Sequence, residues 1–299
     1  MILRIGTRRS RLALAQANEV AFRLGAVGVP TELVPIETSG DRGAPPAASP
    51  QGLKGLFVAE IVRALIDGDV DVAVHSAKDL PAEDTPGVVV GAVPRRESPF
   101  DVLVRDRYEL PDGAAIGTSS LRRRAQLIRA RPGVRIVDTR GNVDTRLAKL
   151  GAGLDGLVLA AAGLARLGVV PRYQTTLHAD EMVPAPGQGS LVVQVREGDG
   201  ETLRRVAPLE DPTTRATLSA ERSLMVRLGG GCALPLGALA TRRGDGVHLV
   251  AVVATPDGER LVRADAEARE PEEAADSVAD RLLRRGAGDI LSTVRGAPA

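Results

Sequence analysis

Residues 115–124 read AIGTSSLRRR, an apolar run that passes through small hydroxyl residues into a basic segment. Residues 115–117 predict a buried strand, and a helix is predicted to begin at Ser119 or Ser120 because serine is a preferred N-cap residue. A strand, a short turn and a helix in this order are typical of α/β proteins, in which helices cover both faces of a parallel or mixed sheet.

The same alternation continues on both sides of this segment. Further strands are predicted over residues 3–6, 32–37, 71–75, 88–93, 101–104, 134–138, 154–160 and 191–195. Further helices are predicted over residues 12–24, 56–66, 143–150 and 161–167. From about residue 211, a helix over 213–228, three alternating strands and an amphipathic helix over 272–285 predict a small α+β unit.

A chain of 299 residues exceeds what one hydrophobic core usually organises. We expect three domains, formed by residues 1–95 with 190–208, by residues 99–186 and by residues 211–299. Residues 38–55 are rich in Gly, Pro, Ala and Ser and are too long for a routine connection. They predict a lid on the first domain.

The composition is that of a folded globular protein, with 43% apolar and 26% charged residues. The net charge of the whole chain, +1, gives no global electrostatic reason to expect a polyanionic partner. No Trp, two Tyr and three Phe supply few platforms on which single-stranded nucleic acid could stack. No signal peptide or membrane span is recognisable, so we expect a cytoplasmic monomer that uses neither nucleic acid nor membrane as a partner.

The single cysteine, Cys232, excludes an internal disulfide, and three scattered histidines without a paired spacing predict no metal site. Cys232 follows three glycines, so its thiol could protrude from a flexible turn. The alternative is an inert, buried thiol, which is the commoner state of a lone cysteine.

Arginines follow two neighbouring strand ends of the second predicted domain. Arg122 and Arg123 come one residue after the 118–120 turn, and Arg140 and Arg146 follow the next strand. Turns between strands and helices of one sheet open on the same edge, where helix N-termini and guanidinium groups bind carboxylates. The pattern predicts a pocket for a polyanion; for the first turn, the alternative is a capped helix with a solvated basic face.

The strand ends of the first predicted domain carry Arg8, Ser10, Lys78 and Asp79, which would face the same crevice. Asp79 is a candidate general acid and base whose proton affinity is tuned by partial burial and neighbouring charges. The alternative is a loop carboxylate paired with Lys78, which is the commoner role of an arbitrary aspartate. His75 is expected to be a satisfied histidine near the core.

Seven motifs, taken in order, resemble the porphobilinogen deaminase family. They are Arg4–Ser10, Lys54–Phe57, His75–Pro81, Gly117–Arg123, Arg140–Asn142, Gly187–Gly189 and Gly230–Cys232. The resemblance extends from about Leu3 to the final predicted helix. It implies an α/β fold with two domains that are similar to type II periplasmic binding proteins and contain mixed sheets, followed by a small α+β domain that carries a cofactor cysteine.

The resemblance implies a transferase of tetrapyrrole biosynthesis. Such an enzyme condenses four porphobilinogen molecules, with loss of ammonia, on a dipyrromethane primer, and then hydrolyses the chain to release hydroxymethylbilane. It implies a thioether from Cys232 to the dipyrromethane and a catalytic role for Asp79. Cofactor contacts are implied for Lys78, Asp79, Thr118, Ser119, Arg122, Arg123, Arg140 and Arg146. Substrate contacts are implied for Arg8, Ser10, Arg140, Arg166 and Gln188, and lid roles for Lys54 and Phe57.

The predicted lid departs from the family pattern, since Leu53 stands where glycine is frequent, Ala59 where lysine is common, and residues 42–50 match poorly. The sequence disfavours two other function classes. A non-catalytic binding protein of two lobes would need no cysteine and would usually carry an export signal or a DNA-binding domain. An arginine-rich nucleic-acid binder is disfavoured by the net charge of +1 and the few aromatic residues.

Overall fold

The computed structural model describes residues 2–37, 52–230 and 234–296, without the side chains of residues 52–57, 295 and 296. The strands are β1 (Leu3–Arg8), β2 (Thr31–Ile36), β3 (Val72–Ser76), β4 (Val88–Ala92), β5 (Asp101–Arg105), β6 (Ala115–Gly117), β7 (Arg135–Val137), β8 (Gly156–Ala160), β9 (Tyr173–Leu177), β10 (Leu191–Arg196), β11 (Leu236–Arg243), β12 (Gly246–Ala254) and β13 (Leu261–Ala268). The helices are α1 (Arg11–Ala26), α2 (Gly52–Ile66), α3 (Leu121–Ala130), α4 (Val143–Leu147), α5 (Ala161–Arg166), α6 (Gly200–Val206), α7 (Pro212–Arg227), α8 (Pro271–Arg284) and α9 (Ala287–Gly296). Short 3₁₀ turns cover Ala77–Asp79 and Ala207–Leu209.

The first two sheets share one topology. Their strand orders are β2-β1-β3-β10-β4 and β7-β6-β8-β5-β9. In each sheet three parallel strands are followed by one strand, β10 or β5, that runs antiparallel to both of its neighbours. The third sheet, β11-β12-β13, is antiparallel throughout. The predicted α/β class, with two mixed sheets and a small C-terminal α+β domain, is confirmed.

Helices cover both faces of the first sheet because its central strand is apolar on both sides. Val72 and Val74 of β3 pack in the cluster that contains Leu24 of α1, while Ala73 packs in the cluster that contains Leu65 of α2. The three sheets fall within the three predicted residue ranges, and the domain boundaries themselves stay a prediction.

The third sheet is also apolar on both faces. Leu249 of β12 packs with Leu224, Val278 and Ile290, which come from α7, α8 and α9. Val250 and Val252, on the other face, pack against Val183 of the chain segment that leaves the second domain. The third domain is therefore docked on the second domain through a buried apolar contact.

Several element predictions were wrong. Helix α2 begins at Gly52, so residues 52–55 of the predicted lid are helical, and residues 38–51 of that lid lie outside the described residues. Strand β9 and helices α6 and α9 were not predicted. Strand β9 reads YQTTL and is an edge strand with three exposed residues, so it lacks the apolar alternation that reveals a strand.

Within the residues that the structure describes, no helix combines the length and the apolar content needed to cross a membrane. The same residues contain no cluster of three or more histidine, cysteine or carboxylate side chains that could hold a metal ion.

A cationic crevice between two domains as the candidate active site

The crevice lies where the parallel strands of the first two sheets end. In the first domain β1 ends at Arg8 and β3 leads directly into the turn Ala77–Asp79. In the second domain β6 ends at Gly117, and Arg140 follows the end of β7. The carboxyl ends of parallel strands form the usual binding edge of an open α/β sheet. The predicted polar turns of both domains thus stand at these strand ends, and Gln188 links Lys78 of the first domain to Asp101 of the second through hydrogen bonds.

The two walls of the crevice contact each other through α1. Arg11 Nη1 lies 2.6 Å from Asp144 Oδ1 of the second domain. Arg166 Nε of the second domain donates to Glu19 Oε2 at 2.9 Å, and its Nη2 donates to the carbonyl oxygen of Gly189 at 3.1 Å. Polar contacts therefore join α1 to both α4 and α5 in this structure.

The turn that carries Lys78 and Asp79 is positioned by Gly187. The φ of Gly187 is +73°, and a Cβ at this residue would lie 2.9 Å from Ala77 Cβ and 3.1 Å from the Lys78 amide nitrogen. Only glycine combines this backbone conformation with such a close approach. Lys78 Nζ donates to Gln188 Oε1 at 3.4 Å, so the segment after Gly187 also orients the lysine.

His75 is buried, as predicted, but it is not satisfied. Its Nε2 has no hydrogen-bond partner among the residues described, which corrects the expectation of a satisfied side chain. Alternation along β3 directs His75 to the same face as Ala73 and Ala77, which belong to an apolar cluster. Burial lowers the pKa of His75 to about 4, although the charge of Asp79 opposes this shift. The imidazole is therefore neutral at physiological pH.

Arg122 and Arg123 share the carboxylate of Asp101. Arg122 Nη2 lies 2.8 Å from Asp101 Oδ2, and Arg123 Nη2 lies 2.7 Å from Oδ1. Burial would raise the pKa of Asp101, but the two guanidinium groups hold it well below its usual range. Burial lowers the pKa of Arg122, and Asp101 opposes that change. This buried cluster keeps one net positive charge.

Both arginines are further committed to backbone oxygens. Arg122 Nη1 donates to the carbonyl oxygen of Val183 at 2.8 Å, and Arg123 Nη1 donates to that of Val158 at 2.9 Å. The alternative of a solvated basic face therefore does not hold for these two side chains, because Arg122 is 4% and Arg123 is 7% exposed. The sequence pattern located the arginines correctly but did not reveal their burial.

Gln188 connects the two clusters. Its Nε2 donates to Asp101 Oδ1 at 2.9 Å and to the carbonyl oxygen of Pro99 at 2.8 Å, while its Oε1 accepts from Lys78. Gln188 is 1% exposed, so it lies beneath the crevice surface. A continuous polar chain thus runs from Lys78 of the first domain to the arginine pair of the second.

Arg140 and Arg146 are the more accessible cations of the second domain. Arg140 is exposed, and its Nε lies 3.3 Å from Asp138 Oδ2. Arg146 is half-buried and its Nε donates to the carbonyl oxygen of Gly141 at 2.7 Å, with no described carboxylate within ion-pair distance. Burial lowers the pKa of Arg146, and nearby Arg123 lowers it further. Positive charge is in excess at this place.

The hydroxyl groups of the predicted site serve the local backbone. Ser10 caps α1 by accepting a hydrogen bond from a backbone amide in its first turn. Ser119 Oγ donates to the carbonyl oxygen of Thr139 at 2.6 Å, and Thr118 Oγ1 accepts from the Ser120 amide at 3.2 Å. These bonds fix the shape of the turns that carry the arginines.

Cys232 and the side chains of Lys54 and Phe57 lie outside the described residues. Gly230, two residues before the cysteine, is described, and a Cβ there would lie 2.6 Å from Ala82 Cβ. Ala82 follows Asp79 by three residues, so the chain that leads to Cys232 passes beside the Asp79 segment.

Sequence reasoning missed two buried carboxylates, Asp101 and Glu221. Glu221 of α7 is fully buried and accepts from Arg96 Nη1 at 2.7 Å, from the Gly187 amide at 2.6 Å and from the Ala240 amide at 2.8 Å. No local signal marks either residue, because every partner of these carboxylates is at least 19 positions away in sequence.

Comparison with known proteins gives one consistent result. The family model described as "Porphobilinogen deaminase, dipyromethane cofactor binding domain" matches residues 3–204, and "Porphobilinogen deaminase, C-terminal domain" matches residues 216–284. Curated relatives named porphobilinogen deaminase include those of Syntrophotalea carbinolica, 46% identical over 98% of this chain and 96% of the relative, and of Thermus thermophilus, 44% identical over 97% and 98%.

Solved structures with a similar arrangement include a periplasmic substrate-binding protein of an ABC transporter from Coxiella burnetii. It is 17% identical with a TM-score of 0.42, covering 74% of this chain and 97% of that chain. The methionine binding protein MetQ is 13% identical with a TM-score of 0.43, covering 71% and 91%.

Proposed function

The chain belongs to the porphobilinogen deaminase family, and we propose that the crevice between its first two domains is where porphobilinogen units are joined. Membership places the chain in tetrapyrrole biosynthesis, with a dipyrromethane cofactor and porphobilinogen as substrate. We further propose that it is a cytoplasmic, monomeric transferase that requires neither nucleic acid nor a membrane.

The excess of positive charge in the crevice carries this proposal. Each pyrrole ring of the cofactor and of the growing chain brings an acetate and a propionate group, so negative charge accumulates as units are added. Guanidinium groups bind carboxylates through paired hydrogen bonds. Arg140 and Arg146 have the donor chemistry for this task, and Arg146 has no carboxylate of the protein at ion-pair distance among the described residues. The residues present therefore fit the cofactor.

The proposed cofactor contacts divide into two groups. Lys78, Arg140 and Arg146 would bind carboxylates directly. Arg122 and Arg123 would act first through their positive potential, because Asp101 and backbone oxygens already occupy them. Thr118 and Ser119 would shape the turn and offer hydrogen bonds at its edge. For the incoming substrate, the proposed contacts are Arg8, Ser10, Arg140, Arg166 and Gln188.

We propose that Cys232 anchors the cofactor through a thioether. It is the only thiol of the chain, and Gly230, two residues before it, is packed against Ala82 beside the Asp79 segment. When bound, the dipyrromethane supplies the nucleophilic pyrrole carbon to which new units are added. The lid roles of Lys54 and Phe57 stay proposals on the same footing.

Asp79 is the proposed catalytic residue. Its carboxyl group would protonate the departing amine of porphobilinogen, stabilise the cation that develops on the substrate and later accept the released ring proton. Lys78 is adjacent in the same turn, and Gly187 fixes the backbone of that turn. The close approach of Gly187 supports a fixed backbone for the turn that carries the carboxylate.

Intact mass and ammonia release test the proposal. The purified protein should carry the added mass of two pyrrole units and should release ammonia from porphobilinogen. Cys232→Ser should lose both, whereas the control Ala233→Ser, which places the same hydroxyl beside an intact thiol, should keep both. An adduct that persists in Cys232→Ser would refute the attachment. An unmodified, inactive wild-type protein would favour the non-catalytic binding protein instead.

A further inference from the structure

Glu19 is held between two arginines that belong to different domains. Its Oε2 accepts from Arg166 Nε of α5 at 2.9 Å, and its Oε1 accepts from Arg23 Nη2 of its own helix at 2.6 Å. The Glu19 side chain is 20% exposed and that of Arg23 is 32% exposed, so this site borders solvent. One carboxylate thus serves both a binding-site arginine and a neighbour one helical turn away.

The two Arg166 nitrogens that would bind a substrate carboxylate, Nε and Nη2, already donate hydrogen bonds within the protein. Guanidinium groups favour two parallel bonds to a carboxylate, for which the Nε and Nη2 edge is well suited. In Arg166, Nε donates to Glu19 and Nη2 donates to the carbonyl oxygen of Gly189 at 3.1 Å. The Arg166 side chain is only 6% exposed. A substrate carboxylate must therefore displace the protein's own carboxylate to bind there.

We propose that Glu19 is a positioning residue that holds the carboxylate site of Arg166 until the substrate arrives, and that Arg23 retains Glu19 after the exchange. This inference rests on the proposed substrate role of Arg166. The set of Arg23, Glu19 and Arg166 has one net positive charge. An incoming carboxylate neutralises it and leaves two separate ion pairs, so no charge is left uncompensated.

The exchange also affects how the two domains meet. Helix α1 contacts the second domain through Arg11 with Asp144 and through Glu19 with Arg166. Leu12 also approaches Gly163, since a Cβ added there would lie 3.7 Å from Leu12 Cδ2. The Arg11 pair is exposed and contributes little. Release of Glu19 removes the more buried ion pair, so binding of substrate at Arg166 loosens α1 from α5.

Opposite changes in KM test the exchange. Glu19→Gln cannot compete for Arg166, so it should lower the KM for porphobilinogen by about threefold to tenfold. Arg23→Gln leaves Glu19 with Arg166 as its remaining partner, so it should raise the KM by about the same factor. In both variants kcat should stay within about twofold of wild type. The control Glu32→Gln, at an exposed residue of β2, should change neither constant.

A double-mutant cycle separates the exchange from a structural role. In an Arg166→Gln background, Glu19→Gln should have no further effect on KM, whereas independent effects would add. Loss of stability alone would move the melting temperature of both single variants without opposite shifts in KM. Additive effects, or a KM that rises in Glu19→Gln, would overturn the proposal.

A binding experiment gives a readout that does not depend on catalysis. Succinate serves as the carboxylate probe, and the NMR signal of the Arg166 Nε–H group, assigned with Arg166→Gln, reports occupancy. Glu19→Gln should reach half-saturation at about threefold to tenfold lower succinate concentration than wild type. Equal midpoints would refute the exchange. If the wild type consumed no porphobilinogen, the proposed function would fail, and this titration would still decide the exchange.

Discussion

At the scale of single residues, the protein handles its many arginines by sharing carboxylates. Asp101 pairs with Arg122 and Arg123, and Asp71 lies 2.8 Å from Arg4 and 3.3 Å from Arg196. The Asp101 cluster keeps one net positive charge, so its arginines remain electrostatically active although they are paired. The Asp71 cluster is neutral, because Arg196 also pairs with Asp199 at 3.1 Å. Removing the Asp101 carboxylate would leave two buried cations without compensation, which is far more costly than losing a surface ion pair.

Asp79 gives the sharpest prediction at this scale. If its carboxyl group must donate and accept a proton, Asp79→Asn should abolish turnover although the side chain keeps its shape. Asp79→Glu should retain a small residual activity, because the chemistry survives while the reach is wrong by one methylene. Single-turnover release of ammonia measures the chemical step in both variants.

The competing role for Asp79, a loop carboxylate paired with Lys78, predicts a different result. Asp79→Asn would then lower the melting temperature modestly and leave the rate per folded molecule almost unchanged. Melting temperatures recorded beside the ammonia assay distinguish the two roles. Full chemical rates in a folded Asn variant would remove Asp79 from the mechanism.

His75 predicts how stability depends on pH. Burial lowers its pKa from 6.5 to about 4, so between these values the unfolded state binds a proton that the folded state does not. The stability due to neutral His75 is fully present above about pH 6.5 and is lost as pH falls towards 4. Between pH 7 and pH 5 this loss amounts to about 2 kcal/mol.

Denaturant unfolding at both pH values checks this contribution. His75→Asn should remove the loss of about 2 kcal/mol, because an amide does not titrate. The control His248→Asn, in the third domain, leaves His75 in place and should keep it. An unchanged pH dependence in His75→Asn would show that other groups control the acid response.

At the scale of residues, the sequence predicted the arginines of the site better than the carboxylates that pair with arginines. Arg140 and Arg146 stand at a strand end and in a short helix, where local pattern is informative. Asp101, Glu19 and Glu221 could not be recognised, because each acquires its role only when distant segments meet. The burial of Gln188 was hidden for the same reason.

At the scale of elements, the turns matter more than the strands that they follow. The turn Ala77–Asp79 carries the proposed catalytic carboxylate, and Gly187 approaches it closely enough that no side chain fits between them. Gln188, the next residue, accepts from Lys78. The short segment that returns from the second domain to the first therefore determines where Asp79 is held.

Gly187→Ala should impair activity more than stability. The added Cβ would meet Ala77 Cβ at 2.9 Å and the Lys78 amide at 3.1 Å, so the turn must shift. A shift of about 1 Å at a catalytic group can reduce the rate by about a hundredfold. The matched control is Gly113→Ala, which has a similar φ of +70° but nothing within 4 Å of its Cβ.

Comparing kcat with the melting temperature isolates the effect of the turn. Both variants incur the backbone strain of alanine at positive φ, about 1–2 kcal/mol. Only Gly187→Ala should lower kcat strongly. If the two variants lost stability equally and kept equal kcat, the contact with the turn would not matter for catalysis.

Most helices and strands could be predicted from the sequence, because burial imposes an apolar pattern on them. Strands such as β8 are buried and therefore consist of consecutive apolar residues, which are uncommon in loops. Strand β9 is polar and lies at an edge, and α2 begins inside a segment whose composition is typical of a loop. Both errors arise because tertiary contacts, and not local pattern, decide these elements.

At the scale of the whole molecule, three domains meet at one carboxylate. Glu221 of α7 accepts from Arg96, which lies on the crossing into the second domain, and from the Gly187 amide, which lies on the return crossing. It also accepts from the Ala240 amide of β11. Arg96 donates in turn to the carbonyl oxygen of Gln188 at 2.9 Å. The third domain is thus tied to both connections between the first two.

This arrangement predicts that Glu221→Gln uncouples the domains. A glutamine oxygen cannot replace both carboxylate oxygens, and its amide group would face the Arg96 guanidinium, which would be left as a buried charge without its partner. We expect a loss of about 3–5 kcal/mol and a thermal transition that splits in two, with the third domain unfolding first. Differential scanning calorimetry measures both effects.

Glu272→Gln is the control, since Glu272 is exposed and accepts only from Ser219 Oγ at 2.8 Å among the described residues. A single transition with a loss no larger than that of the control would show that Glu221 does not couple the domains and that the apolar contact around Val183 is sufficient.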